Sequence, residues 1–144
     1  MNDAAPRSPA AVARGRPGRD LGWLPLALVP LAFLAHAPAL AAGYVLDDRA
    51  LLVDNPFLRD LPGLGRLLTS GLFEASADFR VTPYYRPLAG LFTFVSYQLV
   101  GTSAPLQHAL NLALHGLVAA LLAAALSAAG LRRGPACLAG LILL

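Results

Sequence analysis

Between Arg86 and Arg132 the chain carries no charged side chain, and within that stretch residues 105–130 are dominated by Leu and Ala. About 20 consecutive apolar residues are needed for a helix to cross the hydrocarbon core of a bilayer, so 105–130 is long enough to span one. A second uncharged stretch, 21–46, contains an apolar segment from Leu21 to Ala42 that also suffices. Pro25, Pro30 and Pro38 predict kinks in it, which membrane helices tolerate better than soluble ones. The expected fold class is an all-α membrane protein. It has two transmembrane helices (21–42 and 105–130), short amphipathic helices in an external loop (43–104), and the start of a third membrane segment (135–144). Composition agrees, with 57% apolar and 13% charged residues, against roughly 45–50% and about 25% in soluble domains.

The charges fall in three places: Arg7, Arg14, Arg16 and Arg19 in the tail, a block of both signs from Asp47 to Arg86, and the pair Arg132 and Arg133. Basic residues beside apolar spans mark the cytoplasmic face of a membrane. A nucleic-acid partner would need a basic stripe with interleaved aromatics, and none is present. The lone Cys137 excludes an internal disulfide framework. Residues 1–20 are rich in Pro, Arg, Ala and Gly without helical or strand period, which predicts a disordered cytoplasmic tail. The last apolar run, Pro135 to Leu144, is shorter than a span, so the chain is expected to be a fragment of something longer.

A cleaved signal is the rival reading of 21–42. Arginines precede the apolar core, and Ala35-His36-Ala37 or Ala39-Leu40-Ala41 resembles a cleavage site. The core is long for a signal, and both readings put Gly43 onward outside the cytoplasm, at a bacterial inner membrane. In the loop, Asn55-Pro56 is a helix-start signal. Phe57, Leu61, Leu64, Leu68 and Leu72 then recur at helical spacing, interrupted by Pro62, Gly63, Gly65 and Gly71. Short surface-lying amphipathic helices follow from that pattern. Residues 88–100 are apolar, but a helix of that length covers only about 20 Å of a core about 30 Å thick. If they lie at the outer interface, helix 105–130 runs inward and Arg132 and Arg133 reach the cytoplasm, which the positive-inside rule favours over a span at 88–100.

Three groups of residues could carry chemistry. Asp47 and Asp48 follow the first membrane segment directly. Such a pair could supply a general base for an acceptor hydroxyl or hold a divalent cation, or it could simply mark where the chain becomes polar. Arg86, in Tyr84-Tyr85-Arg86-Pro87-Leu88, is the last charge before the long uncharged stretch. Its guanidinium could bind a phosphate in bidentate fashion, or it could snorkel from an aromatic interfacial belt. His108, Asn111 and His115 are spaced +3 and +4 and share one helical side. They could wall a polar site or act as polar glue between helices. Gly116 and Gly130 are too isolated in sequence to argue for a packing motif.

Taken in order, a membrane segment, Asp47-Asp48, Asn55-Pro56 with an amphipathic helix, Tyr84-Tyr85-Arg86-Pro87-Leu88, Gly101 and His108-x-x-Asn111-x-x-x-His115 resemble the amino-terminal part of C-type (GT-C) membrane glycosyltransferases. The similarity is to the transmembrane and tetratricopeptide-repeat O-mannosyltransferases and their bacterial relatives, over about residues 21–130. The resemblance implies transfer of a mannose-like sugar from a polyprenyl-phosphate carrier to a hydroxyl acceptor, such as a protein Ser or Thr, on the non-cytoplasmic face. It implies that Asp47 and Asp48 match the acidic pair that serves as catalytic base or its support. Arg86, with Tyr85 beside it, falls at the basic position that could hold the carrier phosphate. His108, Asn111 and His115 match the polar face of the following helix, with no role implied. The further membrane helices and repeats of that family are not in this chain, so the expectation is a part that is inactive by itself.

Overall fold

The computed structural model describes residues 22–71, 74–75 and 84–144. The tail 1–20, Leu21 and Leu72, each the subject of an expectation above, lie outside the described residues. Among those described, all regular structure is helical. One helix, α4 (Ala104–Ala128), is long and apolar enough to cross a membrane. At 1.5 Å per residue it is about 38 Å long. Pro105 sits in its first turn, where no amide donor is needed. It ends in a Schellman motif. Gly130 takes φ 98°, Leu131 N–H donates to Leu126 O (3.0 Å) and Gly130 N–H donates to Ser127 O (3.1 Å). Gly130 is thus a helix stop.

The first apolar segment is three pieces in place of one kinked helix: a 3-10 turn Leu24–Ala27, helix α1 (Leu28–Ala35), and a 3-10 turn Ala37–Ala41. The prolines account for the breaks. Pro25 and Pro38 each sit at the start of a 3-10 piece, and Pro30 lies in the first turn of α1, where a missing N–H costs nothing. This segment runs antiparallel to α4, and α5 (Arg133–Leu143) returns along α4 on another side. The seams are made of small residues. A Cβ on Gly116 would stand 2.7 Å from Val29 Cα, and one on Gly140 would stand 2.7 Å from Ala119 O. Ala32, Ala119, Ala120, Ala123 and Ala136 are buried around them. Gly116 therefore does mark a packing site, contrary to its isolated look in sequence. Its small partners, Ala120 one turn on and Ala32 across the seam, vanish in an Ala-rich background.

The loop builds a second cluster. Asn55, 2% exposed, accepts from Phe57 N–H (2.9 Å) and donates to Leu51 O (3.2 Å), capping a 3-10 turn Pro56–Leu58. Asp60 caps α2 (Leu61–Thr69) by accepting from Gly63 N–H (2.8 Å). Helix α3 (Pro87–Val100) packs antiparallel on α2, with Gly90 close against Leu67 O. Leu58, Leu67 and Phe94 form the core, flanked by Leu52, Phe57, Leu64 and Tyr97. Gln98 ties the cluster by donating to Leu58 O (2.7 Å). On the other side of α3, Leu88, Leu91, Val95 and Leu99 are exposed.

Candidate functional site

The site begins at a backbone reversal. The chain leaves the last 3-10 turn extended at Ala42 and turns at Leu46, the one non-glycine with positive φ (47°) among the described residues. A leucine in that region costs about 1–2 kcal/mol, and its side chain, 92% exposed, makes no compensating packing. What the turn achieves is a clasp. Asp48 N–H donates to Val45 O (3.1 Å), and Val45 N–H donates to Asp48 Oδ2 (3.2 Å). The Asp48 carboxylate is thereby oriented and half-buried, while Asp47 is exposed. A π-helical turn, Arg49–Val53, follows directly. The Arg49–Asp54 pair (3.7 Å) across it is exposed on both sides and adds little.

Tyr44 stands between this clasp and α4. Burial pushes its phenol above the ordinary tyrosine range, and the Asp48 carboxylate adds to the push. Its ring lies 6.3 Å from the His108 ring at 52°. Tyr44 Oη and His108 Nε2 are both buried with no hydrogen-bond partner among the described residues. Seven residues along α4, His115 meets His36 edge-on, with ring centroids 6.1 Å apart at 69°. His36 Nε2 donates to Leu144 O (2.7 Å). The two histidines of α4 therefore face the first segment at heights about 10 Å apart.

Asn111 is exposed. On a helix of about 100° per residue it stands roughly 60° to one side of His108, whereas Leu112, Gly116, Ala119 and Ala123 lie to the other. The packed face is centred on that second side, so the shared stripe seen in sequence is split at its edge.

Tyr85 and Arg86 belong to the second cluster. Tyr85 donates to Leu68 O (2.9 Å), and the Arg86 guanidinium lies 5.4 Å from the Tyr84 ring centroid, a cation–π contact. Both are exposed, and among the described residues no ion pair joins Arg86 to Asp47 or Asp48. The structure thus brings together Asp48, Tyr44 and His108, and leaves Arg86 and Tyr85 at the opposite end of α3 from α4. No group of three His, Cys, Asp or Glu side chains that could hold a metal ion occurs among the described residues. Among the described residues the acidic pair thus has no third such ligand.

Two side chains of this arrangement were not singled out from sequence. Tyr44 falls there within the external loop 43–104 with no role of its own, and His36 is the middle of a cleavage-like tripeptide. At the far end of α4 a cavity of about 160 Å³ is lined by Gly22, Leu24, Ser127, Arg133 and Cys137 among others. No protein-family model, no curated protein and no solved structure matches this chain.

Proposed function

We propose that the chain is the amino-terminal part of a membrane glycosyltransferase that moves a sugar from a polyprenyl-phosphate carrier to a hydroxyl on the non-cytoplasmic face. The observation that carries this is the gathering of Asp48, Tyr44 and His108 at the amino-terminal end of α4, with Arg132 and Arg133 just beyond its other end. Cationic residues prefer the cytoplasmic side, so the acidic end of α4 lies outside. The first segment and α5 pack against α4 inside the bilayer. α3, about 21 Å long, is too short to cross and lies along the outer interface with Leu88, Leu91, Val95 and Leu99 toward lipid. The packing of Val29 and Ala32 on Gly116 supports retention of the first segment over its removal as a signal.

In this reading Asp48 is the general base, held in one orientation by Val45 N–H, and Asp47 supports it from the exposed edge. The carboxylate takes the acceptor proton as the acceptor oxygen, from a protein Ser or Thr, attacks the anomeric carbon of a mannose-like sugar. The bond to the carrier breaks with its electron pair on the phosphate oxygen. The departing phosphate needs a cationic partner. Arg86, the exposed cation the resemblance offers for it, stands at the opposite end of α3 from this carboxylate, so the two must approach when the carrier binds.

The test is sugar transfer from radiolabelled polyprenyl-phosphate mannose to a Ser/Thr peptide in membranes from cells expressing the gene. Asp48→Asn is expected to cut transfer by about a hundredfold or more while carrier binding survives, and Arg86→Gln to weaken carrier binding. Transfer undiminished in Asp48→Asn contradicts the assignment. It would favour a membrane protein that binds or transports the carrier without chemistry.

A further inference from the structure

The site holds a pair of polar atoms that the transfer step above does not use. Tyr44 Oη and His108 Nε2 are both closed off from solvent, and neither has a partner among the described residues. Their rings are close, 6.3 Å between centroids, yet no hydrogen bond joins them. Two buried polar atoms left unpaired side by side are unfavourable unless a further group satisfies both. The pair is also built from separate elements. Tyr44 comes from the extended strand of chain before the Leu46 reversal, and His108 from the second turn of α4. The antiparallel packing of the first segment on α4 is what brings them together.

The chemistry of the missing partner follows from theirs. A phenol donates one hydrogen and accepts others. A neutral imidazole nitrogen either accepts or donates, according to tautomer. A neutral hydroxyl can complete both contacts in either tautomer, accepting from one and donating to the other. An anion is disfavoured, because the Asp48 carboxylate lies against Tyr44 and no cationic side chain pairs with Asp48 among the described residues. An ammonium can donate to both atoms but leaves the phenol hydrogen without an acceptor.

We propose that Tyr44 and His108 form a subsite for one neutral hydroxyl beside Asp48, taken either from the sugar or from the acceptor. The inference rests on the glycosyltransferase reading for what supplies that hydroxyl. The subsite itself rests on the two unpartnered atoms. An acceptor hydroxyl bound there sits next to the carboxylate assigned to deprotonate it. A sugar hydroxyl bound there orients the donor ring against the same carboxylate.

The chain, labelled with ring-¹⁵N histidine and held in detergent micelles, is titrated with methyl α-mannopyranoside, with N-acetylthreonine amide, and with inorganic phosphate. His108 Nε2 is expected to shift saturably with one of the two hydroxyl probes, and which one identifies the source. His36 and His115 stay still as internal references. Tyr44→Phe keeps the ring packing and is expected to raise the half-saturating concentration about fivefold, the loss of one hydrogen bond. No shift with either hydroxyl probe would mean that water alone serves the pair, and overturns the proposal. So does a shift with phosphate of equal size, or one that Tyr44→Phe leaves unaltered. Binding is read here without turnover. A chain that binds a hydroxyl but transfers no sugar keeps the subsite and loses the reaction, and the reverse result does the opposite.

Discussion

The two packed regions of the molecule hold together by different physics. From Gly116 onward the buried residues of α4 are small: Gly116, Ala119, Ala120 and Ala123, with Leu28 of α1 packed on Ala119 and Ala123, and Gly116 and Gly140 let backbones touch. Large side chains there point outward, with Leu117, Val118, Leu121 and Leu122 exposed. Around α2 and α3 the order is reversed. Leu58, Leu67 and Phe94 point inward, and capped helix starts at Asn55 and Asp60 close the polar ends. The first pattern suits a setting where solvent is as apolar as Leu and only close fit favours association. The second suits water on at least one side, where burying large apolar groups drives folding. One chain carrying both is what the proposed membrane helix pair with an interfacial loop requires.

That contrast can be broken by substitution, most strongly in the loop cluster. Leu67→Ala empties the centre of its core and is expected to cost about 2–5 kcal/mol. Hydrogen exchange should speed up over α2 and α3 and stay slow in α4; acceleration across both regions would show one cooperative unit. Gly116→Val attacks the other region. Its new Cβ meets Val29 Cα, and overpacking of this kind costs about 1–3 kcal/mol. Thermal unfolding in detergent should fall markedly for Gly116→Val but not for Gly65→Ala, where a Cβ meets nothing within 4 Å. Equal effects from the two would remove the seam. Asn55→Ala loses the cap over Phe57 N–H and the bond to Leu51 O, at about 1 kcal/mol, with faster exchange confined to residues 51–58.

The smallest expected effect is electrostatic. Tyr44 should ionise above the ordinary phenol range. Because the folded form holds its proton more tightly than the unfolded chain, Tyr44 leaves stability unchanged below the usual phenol pKa of about 10. It destabilises as pH rises beyond that toward the folded value. In an ultraviolet titration Tyr44→Phe should remove the late component, and Asp48→Asn should move it part of the way back. A late component that persists in Tyr44→Phe would place the buried phenol elsewhere.

How much of this was legible in the sequence differs between the same two regions. The Asn55-Pro56 start and the spacing of Phe57, Leu61, Leu64 and Leu68 announced helices in the loop, because capping and periodicity are local, but Leu61 is exposed and Leu67, outside that spacing, fills the core. The missing element was the break between Leu58 and Leu61. There a second cap at Asp60 restarts the helix. That α4 is long and apolar enough to cross a membrane followed from length and missing charge alone. Its seam did not, since Gly116 has meaning only beside Val29 and Ala32, far away in sequence. Asp48 was visible as an acid pair member, but its partners were not. Tyr44 joins it through a positive-φ leucine that no residue pattern announces, and Asn111 left the shared face because the packed centre of α4 lies to one side of His108.

The central claim is that the acidic turn and the Arg132–Arg133 pair stand on opposite sides of a membrane. Single-cysteine chains test it most directly. In a Cys137→Ser background, cysteines replace Asp54 and, separately, Gly134, and intact cells are treated with a membrane-impermeant maleimide. The account predicts labelling at position 54 in intact cells and at position 134 only after lysis. Labelling of both in intact cells, or of neither until lysis, would contradict it.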